Sequence, residues 1–104
     1  MRIGYARVSK ADGSQVLDLQ IDALINAGVL DDHIYTDKAS GKNDNRPELE
    51  LCIKNLREND TLIVWKLDRL GRNLKHLVNT VDDLSNKNIG FKVLTGKGAN
   101  IDTK

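Results

Sequence analysis

Thr61-Leu62-Ile63-Val64-Trp65-Lys66-Leu67-Asp68-Arg69-Leu70-Gly71-Arg72 is the stretch that decides the fold. Its unbroken apolar run over 61–65 fits a strand buried on both faces, the pattern of a parallel sheet covered by helices. The run stops at one carboxylate and two guanidiniums flanking a glycine, so the buried strand opens into a charged turn. Proteins of the α/β class carry ligand sites just beyond the carboxyl ends of their parallel strands, on loops holding polar groups that the sheet cannot bury. Asp68, Arg69 and Arg72 are therefore the first candidate site residues.

Beyond the turn, Leu74, Leu77, Val78, Val81 and Leu84 recur at helical spacing, with Lys75, Asn79, Asp82 and Asp83 on the opposite face. Residues 88–90 break that helix and 91–95 read as a strand, after which 96–104 are polar and glycine-bearing. At the other end, residues 2–8 read as a first strand. Period-two alternation puts Ile3, Tyr5, Arg7 and Ser9 on one side and Gly4, Ala6 and Val8 on the other. Residues 10–14 form a loop in which Asp12 or Ser14 can cap the next helix. That helix turns Leu17, Ile21, Leu24 and Ile25 inward and stops at Gly28. A second short strand over 34–37 leads into a polar loop, 38–46, long for so small a domain and the kind of segment that carries function. Pro47 suits the first position of a helix whose Leu49, Cys52, Ile53 and Leu56 match the i, i+3, i+4, i+7 template, ended by Asn59-Asp60. The order is β-α-β-α-β-α-β, which implies one α/β domain with a mostly parallel central sheet and helices on both faces.

A length of 104 residues leaves room for one domain only, and its 39% apolar and 30% charged content is that of a soluble protein. The apolar runs are too short to span a bilayer, and Met1-Arg2 leads directly into a strand rather than a signal peptide, so a cytoplasmic protein is expected with no membrane partner. The lone Cys52 lies on a helical apolar face and reads as core. With a net charge of +1 the chain has no global basic field, yet four of its six arginines (Arg7, Arg46, Arg69, Arg72) fall at or beside the ends of expected elements. An aromatic content of 4% rules out a stacking platform for single-stranded nucleic acid.

Ser9, Asp37 and Asp68 all fall at carboxyl ends of expected strands, which a parallel sheet brings to one edge. A hydroxyl among guanidiniums, without a neighbouring histidine, fits acyl transfer poorly. It fits phosphoryl transfer better, where fixed bidentate donors stabilise charge growing on phosphate oxygens. Each residue has a plainer reading when taken singly. A serine after a strand can simply turn the chain, Asp68 and Arg72 at i, i+4 can be a helix ion pair, and Tyr5 can be core with its hydroxyl at the rim. His33 and His76 read as surface residues, and the glycines are too scattered for a nucleotide-binding loop. Asp37 and Asp68 could jointly hold Mg²⁺, although the arginines would compete for them. Two rival readings follow: a phosphate- or nucleotide-binding regulatory α/β module without catalysis, and a Mg²⁺-dependent phosphatase or nuclease.

The combination carries more weight than its parts. Tyr5-Ala-Arg7-Val-Ser9, Leu17-Asp-Leu-Gln20, Asp37-Lys-Ala-Ser-Gly41, Arg46-Pro47 and Leu67-Asp68-Arg69-Leu70-Gly71-Arg72 occur in that order. Over essentially all 104 residues the chain closely resembles the catalytic domain of the serine site-specific recombinases, the resolvase and DNA invertase group. The resemblance implies that Ser9 attacks a phosphodiester of a double-stranded DNA recombination site, leaving a 5′-phosphoserine link and a free 3′-hydroxyl, and that exchanged ends are rejoined without metal, cofactor or ATP. It implies that Arg7, Arg69 and Arg72 surround the phosphate, that Arg46 joins them, and that Tyr5, Gln20 and Asp37 support the site. Asp68 and Arg72 stand as alternative candidates for proton transfer. Family members continue into a long helix that makes the dimer and crosses the minor groove, and then into a helix-turn-helix domain. Neither lies within residues 1–104, nor does a further basic residue that the long helix supplies. The expectation is thus a fragment of a protein that works as dimers pairing into tetramers, the fragment itself being free to stay monomeric and unable to bind a specific site or recombine DNA alone.

Overall fold

A computed structural model of the chain describes residues 1–9, 13–39, 47–65 and 74–94. Four strands, β1 (Arg2–Ser9), β2 (Ile34–Ala39), β3 (Thr61–Val64) and β4 (Gly90–Val93), alternate with three helices, α1 (Gly13–Asn26), α2 (Pro47–Asn55) and α3 (Leu74–Asn86). A 3₁₀ turn, Asp31–His33, precedes β2. The sheet is parallel throughout, in the order β2-β1-β3-β4. The chain steps from β1 outward to β2, then crosses back to β3 on the other side, so the strand order reverses between β1 and β3.

The alternation read from the sequence sorts the core into two layers. Ile3 and Tyr5 of β1, Leu62 and Val64 of β3, and Phe91 and Val93 of β4 pack with Leu49, Cys52 and Leu56 of the α2 region and Leu84 of α3. On the opposite face Ala6 and Ile63 pack with Leu24 of α1 and with Val29. Gly4 makes room there: a Cβ on it would come within 3.1 Å of Leu24 Cδ1 and 3.3 Å of Val29 Cγ1, so its absence lets α1 lie close to the sheet.

Two helices leave by the same device. After α1 the amide of Gly28 (φ +96°) donates to Ile25 O and that of Val29 to Leu24 O. After α3 the amide of Asn88 (φ +60°) donates to Ser85 O and that of Ile89 to Leu84 O. Each is a left-handed exit that gives partners to carbonyls of the last turn and turns an apolar residue back into the core, Val29 in one case and Ile89 in the other.

Several expected boundaries move. Lys38 and Ala39 belong to β2 rather than to the following loop, because the ladder with β1 continues to the pair Ser9–Ala39. The third strand ends at Val64, the fourth runs over Gly90–Val93, and α2 ends at Asn55, short of Asn59-Asp60. Ile25 is 44% exposed rather than inward, since it sits one position round the helix from Leu24, which is fully buried. His33 is half-buried, with Nδ1 shielded and lacking a hydrogen-bond partner among the described residues, not a surface histidine. Helix α1 begins at Gly13, so Gly13 and Ser14 belong to the helix rather than to the expected loop, and Ser14 sits inside the first turn rather than at its cap position. Asp12, the inward side chains of Leu74, Leu77 and Val78, and residues 95–104 lie outside what is described. So does the side chain of His76.

Candidate active site

Because the strands are parallel, Ser9, Ala39 and Val64 end at one edge of the sheet, with the topological reversal between β1 and β3. An open α/β sheet forms its ligand crevice at such a point, because the connections leave to opposite faces and expose the strand ends between them. The register sharpens this. Strand β3 pairs with β1 only from Arg2 to Tyr5, while β2 accompanies β1 to Ser9. Residues 6–9 therefore overhang their neighbour on the crevice side, and the backbone of Ser9 lies at the tip.

On this overhang Arg7 is buried, 8% exposed. Its Nε is shielded and has no hydrogen-bond partner among the described residues. A buried guanidinium N–H without an acceptor is costly unless an anion or another oxygen meets it. The main chain of Arg7 is fully engaged by contrast. Its N–H donates to Gln20 Oε1 at 3.1 Å, and Gln20 Nε2 donates to the Arg7 carbonyl at 3.0 Å. Gln20 is fully buried, with a longer contact of 3.5 Å from Nε2 to the carbonyl of Val16 one turn back.

Arg7 is in register with Asp37 on β2. The Asp37 carboxylate, 4% exposed, accepts three hydrogen bonds: from Tyr5 Oη to Oδ2 at 2.8 Å, from the Leu49 amide to Oδ2 at 3.0 Å, and from the Glu48 amide to Oδ1 at 3.0 Å. Glu48 and Leu49 are the second and third residues of α2, whose amides an N-cap side chain normally takes. The residue before Pro47 is Arg46, which carries only donors and cannot cap. Asp37 supplies the cap from across the sheet, and its negative charge sits against the positive end of the helix dipole. With three donors on its oxygens it is poorly placed to ligate a cation, which weakens the reading in which it shares Mg²⁺ with Asp68. No group of three or more His, Cys, Asp or Glu side chains able to hold a metal occurs among the described residues.

The structure thus brings Tyr5, Arg7, Gln20 and Asp37 together beside the end of β1. Arg46, Asp68, Arg69 and Arg72 lie outside the described residues, as does the side chain of Ser9. Asp37 as a remote helix cap and Gln20 as a main-chain partner are roles that spacing did not reveal. Signals for both existed: Gln20 is an amide inside the apolar stripe of Leu17, Ile21 and Leu24, and α2 begins without a capping residue of its own. A separate cavity of about 460 Å³, lined in part by Ile3, His33, Tyr35, Cys52 and Asp60, opens at the opposite edge of the sheet and includes none of the candidate residues. There, burial and then the nearby Glu48 carboxylate push the Cys52 thiol up to about 12, so it stays protonated and unreactive.

Residues 2–104 match the family model described as "Resolvase, N terminal domain". The chain is 50% identical over 95 residues to the serine recombinase gin of Escherichia phage Mu, covering 91% of this chain and 47% of that protein. It is 47% identical over 93 residues to the DNA-invertase hin of Salmonella typhimurium, with 89% and 47% covered. To the transposon Tn552 resolvase of Staphylococcus aureus it is 44% identical over 94 residues, with 90% and 46% covered. The chain spans about half the length of the curated relatives it matches. A parallel four-stranded sheet and a family match over residues 2–104 place the chain in the resolvase family, as its N-terminal domain.

Proposed function

We propose that this chain is the catalytic part of a serine recombinase that acts on double-stranded DNA. Ser9 Oγ attacks a phosphodiester phosphorus; the O–P bond to serine forms as the bond to the 3′ oxygen breaks, and the serine proton is passed on to that leaving oxygen. The energy of the phosphodiester is kept in the phosphoserine, so the reverse step on an exchanged 3′-hydroxyl reseals DNA without ATP or metal. Arg7, Arg46, Arg69 and Arg72 stabilise charge on the phosphate oxygens, and Asp68 or Arg72 handles the proton. Tyr5, Gln20 and Asp37 support them. In its complete form the protein works as a homodimer that pairs into a tetramer, in a bacterial cytoplasm. The observation that carries this reading is the buried Arg7 guanidinium, with Nε unpartnered among the described residues, two residues before Ser9 at the open side of the strand reversal.

The test uses the complete gene product with supercoiled DNA bearing its site and EDTA present. Protein attached to 5′ ends is expected, and its complete loss in Ser9→Ala. An adduct that persists in Ser9→Ala, or cleavage that requires a divalent metal, contradicts the proposal.

A further inference from the structure

A crevice between β1 and β3 requires that β3 stop early, and this creates a difficulty at the strand that stays. Arg7 lies two residues past Tyr5, the last β1 residue paired with β3. A buried main-chain N–H or C=O left without a partner costs about 1–3 kcal/mol and loosens the segment that carries it. Continuing β3 alongside would satisfy the strand but fill the crevice. The side chain of Gln20 reaches the same two groups from α1 instead.

We propose that Gln20 is a positioning residue, a one-side-chain surrogate for the missing strand that holds Arg7 and the end of β1 in reactive register; this rests on the recombinase reading above. In a parallel sheet the N–H and C=O of one residue both bond to the same neighbouring strand. A primary amide offers that strand's complement in a single group, an acceptor oxygen for the N–H and a donor nitrogen for the carbonyl. The observed bonds, 3.1 Å and 3.0 Å, use both ends on one residue. Two bonds to the peptide groups flanking the Arg7 Cα fix its φ and ψ, and so the direction in which its side chain leaves the strand. The backbone of Ser9 follows about 6.6 Å further along the same extended segment and shares that alignment. Gln20 touches main chain only, so it acts through Arg7 and the strand end rather than on a phosphate.

The chemistry makes the requirement specific. Methionine matches the volume and supplies neither bond; glutamate keeps the acceptor, loses the amide donor and brings a charge to the Arg7 carbonyl. In the complete gene product, Gln20→Met is expected to bind DNA as tightly as the unsubstituted protein but to form the Ser9 adduct at least about tenfold more slowly, the effect of losing a well-placed buried hydrogen bond. Amide exchange at Arg7 is expected to quicken in the same variant. Gln20→Glu, which retains one bond, serves if the methionine variant does not fold, with a smaller loss of rate and the same unchanged affinity. An unchanged cleavage rate beside faster Arg7 exchange would mean a purely structural role and overturns the inference. A slower rate with unchanged exchange overturns it too, as does a loss that tracks weaker DNA binding. If the unsubstituted protein forms no Ser9-dependent adduct, the recombinase reading fails first and the catalytic part of this one with it.

Discussion

At the scale of single residues, burial decides which polar groups can meet a ligand. Tyr5 and Asp37, expected as supporting residues, bond to each other, and Asp37 bonds as well to the first turn of α2. Arg7 is the described residue whose shielded polar atom is left over at that edge. Cys52 shows the opposite outcome, an ionisable group made inert by its surroundings. Its thiol has a reference value of 9.0 and is pushed up to about 12 in the fold. From pH 9 to 12 the unfolded chain releases this proton while the folded chain keeps it, so stability falls as pH rises, by up to about 1.4 kcal/mol per pH unit. Below pH 9 both states are protonated and the group adds no pH dependence. Urea unfolding at pH 8, 9.5 and 10.5 should show a shallower alkaline decline in Cys52→Ala than in the unsubstituted chain; equal slopes would contradict this.

At the scale of elements, the helix exits carry the clearest energetic signature. Gly28 sits at φ +96°, where an L side chain is strained by about 1–2 kcal/mol, and a Cβ there would press on the Arg2 guanidinium, which can move aside. Gly28→Ala should lower the free energy of unfolding by about that amount, read as a shift of the urea midpoint with an unchanged slope; no shift would mean that the exit tolerates a Cβ. The elements themselves were legible because their apolar periods are clean: 2 in β1, 3.6 in α1 and α2, and unbroken in β3. Ends were less so, since the length of β2 is set by its partner and not by its own composition. Lys38 reads as loop until β1 is seen to run beside it. The Asp37 cap was hidden for a related reason, as it joins a strand to a helix start ten residues later. The motifs around Ser9, Gln20 and Asp37 place these residues at the carboxyl edge of the sheet, but the bonds by which Gln20 and Asp37 hold main chain there come from packing and not from spacing.

For the molecule as a whole, affinity and chemistry are separable. Contacts with duplex DNA draw on cations that displace condensed counterions, and a net charge of +1 over 104 residues supplies no general excess of them. Residues 1–104 alone are expected not to retain duplex DNA in a gel shift at about 0.15 M salt; a retained band would show a basic surface that the overall balance conceals. No helix among the described residues is long and apolar enough to cross a membrane. The sheet order brings the carboxyl ends of β1, β2 and β3 to one edge. The overhang of β1 gives that edge a mechanical character. Up to Tyr5 the strand is a beam built in on both sides, and past it a cantilever with β2 along one flank and a single amide propping the other. On the recombinase reading proposed above, force applied through Ser9 is borne first by this overhang and only then by the core strands behind it.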